Sequence, residues 1–337
     1  MKVAVLGYGT VGAGVYSMLS DAPGMEAGPV LVRPGKAVES FMVSDAALIF
    51  GDPTVDAVVE TLGGLDPAYS YGMRALEAGK HFITANKAMV AAHGLELAAL
   101  AREKGAAFLF SAACGGGVPF LHNLALSAET DRIEAVSGIL NGTTNYMLDA
   151  MQRRSLSYGD ALREAQSLGY AESDPTADVS GLDALRKMQL ACAVAFGVLP
   201  QSGMLCEGME HFTAADVEDI QSRGLVCRLM ARGSRAGESV SAYVEPVLFP
   251  RAAPESSVFT NNNMARYTGK RCGSIVLMGQ GAGRFPTASA VLRDLAAAQQ
   301  GARSMFPENC RAAEADNREA VHSYLSLIHI SEPTRLG

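Results

Sequence analysis

The sequence predicts an α/β protein of two domains. Three features carry that reading: short apolar segments alternate with helical ones over the first 112 residues, a GxGxxG turn follows the first of them, and the texture changes after "CGGGVP" at 114–119. Strands that alternate with helices pair in parallel through right-handed crossovers. "KVAVLG" (2–7) is a short apolar strand, and "GYGTVGAGVYSMLS" (7–20) is a glycine turn running into a helix. "PVLVR" (29–33) and "DAVVETLGG" (56–64) read as further strands. "PAYSYGMRALEAGK" (67–80) is a helix with Gly79 near its end, and "HFITA" (81–85) is a strand. "HGLELAALAREKG" (93–105) is a helix closed by Gly105, and "AAFLFSAA" (106–113) is a strand. None of these strands alternates cleanly, as expected when helices cover both faces of a sheet.

Beyond residue 119, "RIEAVSGIL" (132–140) is a strand leading into "NGTTNYMLDAMQ" (141–152). A helix at 157–169, an acidic loop and a helix at 181–197 follow, the last ended by Pro200. "VCRLMARG" (226–233) and "SVSAYVEPVLF" (239–249) read as strands of one sheet. "CGSIVLMGQGAG" (272–283) is a strand entering a second glycine-rich turn, and 286–301 is a helix with Pro286 in its first turn. The expected domains are 1–112 and 113–285, with helix 286–301 folding back onto the first. The segment "LSLIHISEPTRLG" (325–337) resembles translated adaptor or vector sequence and reads as a non-native tail.

The composition narrows the function. A chain of 337 residues, 48% hydrophobic and 19% charged, can bury two cores and is not disordered. A net charge of −7 argues against nucleic acid and anionic membrane surfaces as partners. No apolar run is long enough to span a bilayer, and no signal peptide is evident, so a cytoplasmic protein is expected. The six cysteines are scattered without a CxxC pair and read as reduced thiols. The six histidines form no HExxH, which argues against zinc.

Gly7, Gly9 and Gly12 form "GYGTVG" between a strand and a helix. In that context the first glycine permits the tight turn, the second lets backbone approach a pyrophosphate at the helix N-terminus, and the third allows close helix–strand packing. The first domain is therefore expected to be a Rossmann-type dinucleotide-binding domain, with Thr10, Val11 and Gly63 among the cofactor contacts. After the second strand the chain has "VRPGK", with Arg33 and Lys36 and no acid until Glu39. An acid there would hold a free ribose 2′-hydroxyl and a base a 2′-phosphate, so NADP is favoured, with NAD as the alternative. The competing reading is two solvated surface cations.

Two lysines stand out. Lys87, in "TANKAMVA", follows a strand end, where open parallel sheets bind ligands. Lys187 follows Asp183 by four residues, on one face of a helix that is otherwise mostly apolar. Such a pair is either an ordinary surface ion pair, worth a few tenths of a kcal/mol, or the lining of a cavity. Upstream lie Glu172, Asp174 and Asp178, so "GYAESDPTADVSGLDALRK" (169–187) gathers four carboxylates before its cations.

"GYGTVG", "TANKAMVA", "GGGVP", "GILNGTTNYML" and "GYAESDPTADVSGLDALRK" resemble, in order and spacing, the motifs of homoserine dehydrogenase over about residues 1–325. The chain looks like the short form without a regulatory ACT domain. The resemblance implies reversible NAD(P)-dependent reduction of L-aspartate 4-semialdehyde to L-homoserine, in threonine, methionine and isoleucine biosynthesis. It implies a Rossmann-type dinucleotide-binding domain with a second mixed α/β catalytic and dimerisation domain, working as a homodimer or homotetramer. It also implies roles. Glu172 and Asp183 bind substrate and Lys187 is the catalytic acid. Lys87 is a second cation near substrate and nicotinamide, and Thr143 is a further substrate contact. Gly169 and Gly281 lie against the cofactor. "SAACGGGVP" resembles a loop whose carbonyls, here those of Ser111, Cys114, Gly116 and Val118, hold a monovalent cation, sodium. Many members have Glu where Ser111 stands. Two rival readings are another amino-acid dehydrogenase of similar fold, such as one acting on aspartate, and a catalytically silent NADP-binding sensor.

Overall fold

Six strands build the first sheet: β1 (Lys2–Leu6), β2 (Glu26–Leu31), β3 (Met42–Val43), β4 (Ala57–Glu60), β5 (His81–Thr84) and β6 (Phe108–Leu109). They pair in parallel in the order β3-β2-β1-β4-β5-β6. Helices α1 (Thr10–Leu19), α2 (Ala47–Phe50), α3 (Ala68–Glu77) and α4 (Lys87–Lys104) provide the crossovers. The computed structural model describes residues 1–318, and the tail expected at 325–337 lies outside them.

The strands carry apolar residues on both faces, and Val3, Val5, Val58, Val59, Phe82 and Ile83 are fully buried. Each such side chain contributes ~1.5–3 kcal/mol of burial. Reversal of strand order beside β1 leaves a crevice at the carboxyl ends of β1 and β4, the place where doubly wound sheets bind ligands.

In the first half, α4 and the strand after it differ from their sequence reading. Helix α4 begins at Lys87 rather than at 93, because the Asn86 side chain accepts the Met89 N–H at 3.1 Å and caps it. The strand expected over 106–113 shrinks to Phe108–Leu109 and gives way to a 3₁₀ turn over Ser111–Ala113. The cause is Asp294, which takes the Ser111 N–H at 2.8 Å and also accepts its hydroxyl. A backbone donor spent on a buried carboxyl is lost to a sheet ladder.

The second half adds α5 (Phe120–Thr130), β7 (Ile133–Ile139), α6 (Gly142–Arg154), α7 (Tyr158–Ser167), α8 (Thr176–Val179) and α9 (Leu182–Phe196). It continues with β8 (Val198–Ser202), β9 (Leu205–Cys206), α10 (Ala214–Ser222), β10 (Leu225–Ala236), β11 (Ser239–Pro250), β12 (Asn262–Gly269) and β13 (Gly273–Gln280). Helix α11 (Arg284–Gln299) and β14 (Arg311–Glu314) complete the described elements. The second sheet runs β13-β12-β7-β10-β11-β9 and is mixed, antiparallel except where β9 joins β11. Helix α9 packs on this sheet and on α4 of the first half. Gly197, in the left-handed region at φ 67°, ends α9. Pro200, expected to be the stop, sits instead in β8, which pairs with β14. Helix α11 returns to α1, where a side chain at Gly14 would meet the Arg284 and Ala288 side chains.

His81 opens β5, and its Nδ1 accepts the Ala107 N–H at 2.9 Å, which requires a neutral ring. Burial, and then Arg303, push its pKa below the usual histidine value. A depressed folded-state pKa gives stability that is complete above the unfolded-state value and is lost as pH falls through the folded one. His81→Asn, which keeps an acceptor near Nδ1 but does not titrate, is expected to lose less thermal stability than the parent below pH ~6.5. Parallel melting curves against pH would show that His81 is not the group responsible.

Candidate active site

A cleft of about 540 Å³ opens where the two halves meet. Its walls come from the start of α4, the glycine loop before α5, the start of α6, the acidic loop, the start of α9 and the 281–283 turn before α11. Lys87, Thr143, Gly169, Glu172, Asp183, Lys187, Gly116 and Gly281 all line it, although they are spread over nearly two hundred positions.

Asp183 is the centre of the polar network. Its Oδ2 accepts Lys187 Nζ at 2.7 Å and Asn141 Nδ2 at 2.9 Å, and its Oδ1 meets Lys87 Nζ at 2.9 Å. Lys187 also donates to the Leu140 carbonyl at 2.6 Å. The Asp183 side chain is 11% exposed and that of Lys187 12%, so neither is a solvated surface charge. Burial alone would raise the Asp183 pKa. Lys187 and Lys87 outweigh it, and the carboxyl is held well below the usual range. Burial likewise opposes the charge on Lys187, yet Asp183 outweighs it and the amine titrates above the ordinary lysine value. The cleft thus holds a carboxylate between two lysine amines, and the surface-pair reading of Asp183 and Lys187 does not fit.

The remaining acids divide by environment. Asp174 caps locally, accepting the Thr176 N–H at 3.1 Å and its hydroxyl at 2.6 Å. Asp178 accepts Asn141 Nδ2 at 2.7 Å, and burial, its largest influence, raises its pKa. Glu172 is exposed on the cleft wall. The Thr143 hydroxyl donates to the Tyr170 carbonyl at 2.5 Å and fastens α6 to the acidic loop.

Asn141 went unnoticed in the sequence. Its Oδ1 caps α6 by accepting the Thr144 N–H at 2.8 Å, while its amide nitrogen bridges Asp178 and Asp183. An Asn before a helical segment signals a cap, but nothing local signals the bridge. Arg186 and Asn261 also line the cleft and were not singled out.

The glycine turn lies in the first sheet's crevice. A Cβ at Gly12 would collide with the Gly7 carbonyl, whereas Gly9 faces open space. Gly9 precedes α1 with no side-chain cap and the helix opens with Thr10 and Val11, so its first N–H groups are available to a pyrophosphate. Gly63 lies in the exposed loop after β4, and Arg33 is exposed beyond the end of β2. These residues fit a dinucleotide.

Ser111, Cys114 and Val118 are buried beside the cleft. The Ser111 carbonyl accepts the Cys114 N–H at 3.2 Å and that of Val118 accepts the Phe120 N–H at 2.7 Å. Gly116 is packed so closely on the Gly281 carbonyl that a side chain there would collide with it. The Cys114 thiol is pushed up to about 12, by burial first, and is neutral.

Two family models match in tandem: "Homoserine dehydrogenase, NAD binding domain" over residues 7–111 and "Homoserine dehydrogenase" over residues 119–296. The chain belongs to the homoserine dehydrogenase family. It is 37% identical to a homoserine dehydrogenase of Synechocystis sp. over 319 residues, which is 88% of this chain and 72% of that one. It is 38% identical to that of Corynebacterium glutamicum over 317 residues, 88% of this chain and 71% of that one. The crystal structure of the Thiobacillus denitrificans homoserine dehydrogenase superposes with a TM-score of 0.86 at 33% identity, covering 93% of this chain and 79% of that one. Homoserine dehydrogenases are oxidoreductases that reversibly reduce L-aspartate 4-semialdehyde to L-homoserine with a nicotinamide cofactor, in amino-acid biosynthesis. Membership assigns that reaction to this chain. The rival readings, a different amino-acid dehydrogenase and a silent sensor, are set aside. Among the described residues no helix is long and apolar enough to cross a membrane.

Asp183 is what keeps Lys187 charged. In Asp183→Asn, burial is left unopposed by that carboxylate, and the Lys187 pKa is expected to fall below its parent value. NMR titration of the Lys187 amine in both proteins measures this directly. An unchanged pKa would remove Asp183 from that role.

Proposed function

We propose that Lys187 is the proton donor and acceptor of the reaction, with Asp183 holding it charged and aimed. The observation behind this reading is the 2.7 Å Lys187–Asp183 pair inside the cleft. When bound, the nicotinamide cofactor supplies or accepts the hydride. Lys187 gives its proton to the substrate's carbonyl oxygen in the direction of reduction and takes the hydroxyl proton in the reverse direction. Reduction needs the charged amine and oxidation the neutral one, so alkaline pH favours homoserine oxidation.

Lys87, tied to the other oxygen of Asp183, adds a second positive charge beside the developing alkoxide. Glu172 binds the substrate ammonium, and Asp183 contributes to that contact through the one lone pair on Oδ1 that Lys87, Lys187 and Asn141 leave open. Thr143 keeps its oxygen lone pairs for substrate, and Arg186 suits the substrate carboxylate. The cofactor is held by Gly7, Gly9, Thr10, Val11, Gly12, Gly63, Lys87, Gly169 and Gly281.

NADP is the preferred cofactor in this reading. Arg33 and Lys36 follow β2 and the loop brings no acid before Glu39. Sodium, if bound, would be held by the carbonyls of Ser111, Cys114, Gly116 and Val118. A carbonyl already accepting one N–H has a second lone pair, and hard cations prefer oxygen to a neutral thiol. A second copy of the chain is the proposed partner, and the exposed Val276 and Met278 of the edge strand β13 are surface it would cover.

Lys187→Met cannot donate a proton. It is expected to lower kcat by at least ~10² in both directions, while NADPH binding followed by fluorescence persists. Parent turnover per folded molecule would withdraw the assignment. Arg33→Ala is expected to narrow the preference for NADPH over NADH, chiefly by weakening NADPH. Equal kcat/KM for the two cofactors in the parent would defeat that expectation.

A further inference from the structure

The buried acid at the end of β4 has no part in the chemistry above. Glu60 is 0% exposed, and no lysine or arginine pairs with it among the described residues. Its partners are neutral donors. Oε1 accepts the Leu62 N–H at 2.6 Å and the Gly63 N–H at 3.1 Å, and Oε2 accepts the Thr84 hydroxyl at 2.5 Å. The same hydroxyl oxygen accepts the Asn86 N–H at 2.9 Å.

Asn86 then reaches in two directions. Its Nδ2 donates to the Gly64 carbonyl at 2.6 Å, and its Oδ1 caps α4 through the Met89 N–H. The bonds close a circuit: the loop 62–64 hangs from Glu60 at one end and from Asn86 at the other. The next residue is Lys87, whose Nζ lies 2.9 Å from Asp183. A carboxylate suits this place because all three donors point at it. Glutamine would turn an N–H₂ toward the Thr84 hydroxyl, whose own proton would then lose its acceptor.

We propose that Glu60, Thr84 and Asn86 form a positioning unit that sets the cofactor loop 62–64 and the first turn of α4 as one rigid piece, so that Lys87 and the dinucleotide register together. The unit touches neither substrate nor the reacting atoms, and it acts through Lys87, so it rests on the reading of Lys87 given above. A buried carboxyl is costly unless its hydrogen bonds are made, and here they are made by the two segments it joins.

The two arms are separable. Asn86→Asp, which keeps the cap acceptor and loses the donor to Gly64, disturbs the loop arm and is expected to raise the NADPH Kd, by fluorescence titration, about tenfold. Thr84→Val cuts the lysine arm and is expected to lower kcat about tenfold with the NADPH Kd within about threefold of the parent. Thr84→Ser restores the hydroxyl and should recover most of that loss. In a Lys87→Met background, Thr84→Val should cost little more, because both changes remove one function. Full additivity of the two losses, or a parent-like kcat in folded Thr84→Val, would overturn the proposal. Lys87→Met with parent kcat and parent NADPH Kd would instead overturn the reading of Lys87, and the two failures are thereby told apart. If Thr84→Val does not fold, Thr84→Ala, which removes the same hydroxyl, carries the same double-mutant comparison.

Discussion

Asp183 stands where the two halves of the chain meet, and its carboxylate is shared by Lys87 from the first sheet's last crossover and Lys187 from the helix under the second sheet. A buried carboxylate with one cation would be a structural pair. With two cations and an amide it is a device that collects positive charge at one point of a cleft. Charge gathered out of water acts more strongly than the same charge at the surface, because less solvent screens it. That constraint dictates much around it. Asn86 must start α4 at Lys87, Asn141 must start α6 beside the acidic loop, and α9 must present residues 183 and 187 on one face.

The cofactor half is bound to this centre by packing as much as by polar contacts. The Gly12–Gly7 approach brings α1 onto β1, and α11 lies across α1. From α11, Asp294 reaches Ser111 at the entry to the 114–118 loop, and that loop rests on Gly281. A carboxyl therefore does reach Ser111, but from a helix late in the chain. At this position the chain has a hydroxyl that binds an acid from elsewhere. Burial pushes the Asp294 pKa up to about 7, an environment that tolerates the neutral acid well.

Most of the first sheet was legible because its rules are local. Apolar runs, the glycine turn and helix-closing glycines state their own structure. The errors fell where a distant partner decides the backbone. The strand expected over 106–113 stopped at Leu109 because Asp294, nearly two hundred residues away, takes the Ser111 N–H. The end of α9 was read from Pro200, but Gly197 ends it, and the proline joins a strand because β14 is there to pair with. Among the acids, Asp174 behaves as a local cap. Asp178, equally plausible as one, answers to Asn141 across the cleft.

By itself, the sequence determined the parallel βα pattern, the dinucleotide turn, the family motifs and the i, i+4 placement of Asp183 and Lys187. Each of these is a matter of spacing along one strand, turn or helix, where covalent geometry fixes which groups are neighbours. Only the tertiary structure decided that Asp183 serves two lysines, that Asn141 bridges two acids, and that Glu60 joins the 62–64 loop to the helix bearing Lys87. Those contacts join residues from about 20 to nearly 100 positions apart, and their strength comes from exclusion of water, which no single segment achieves before the two halves close on each other.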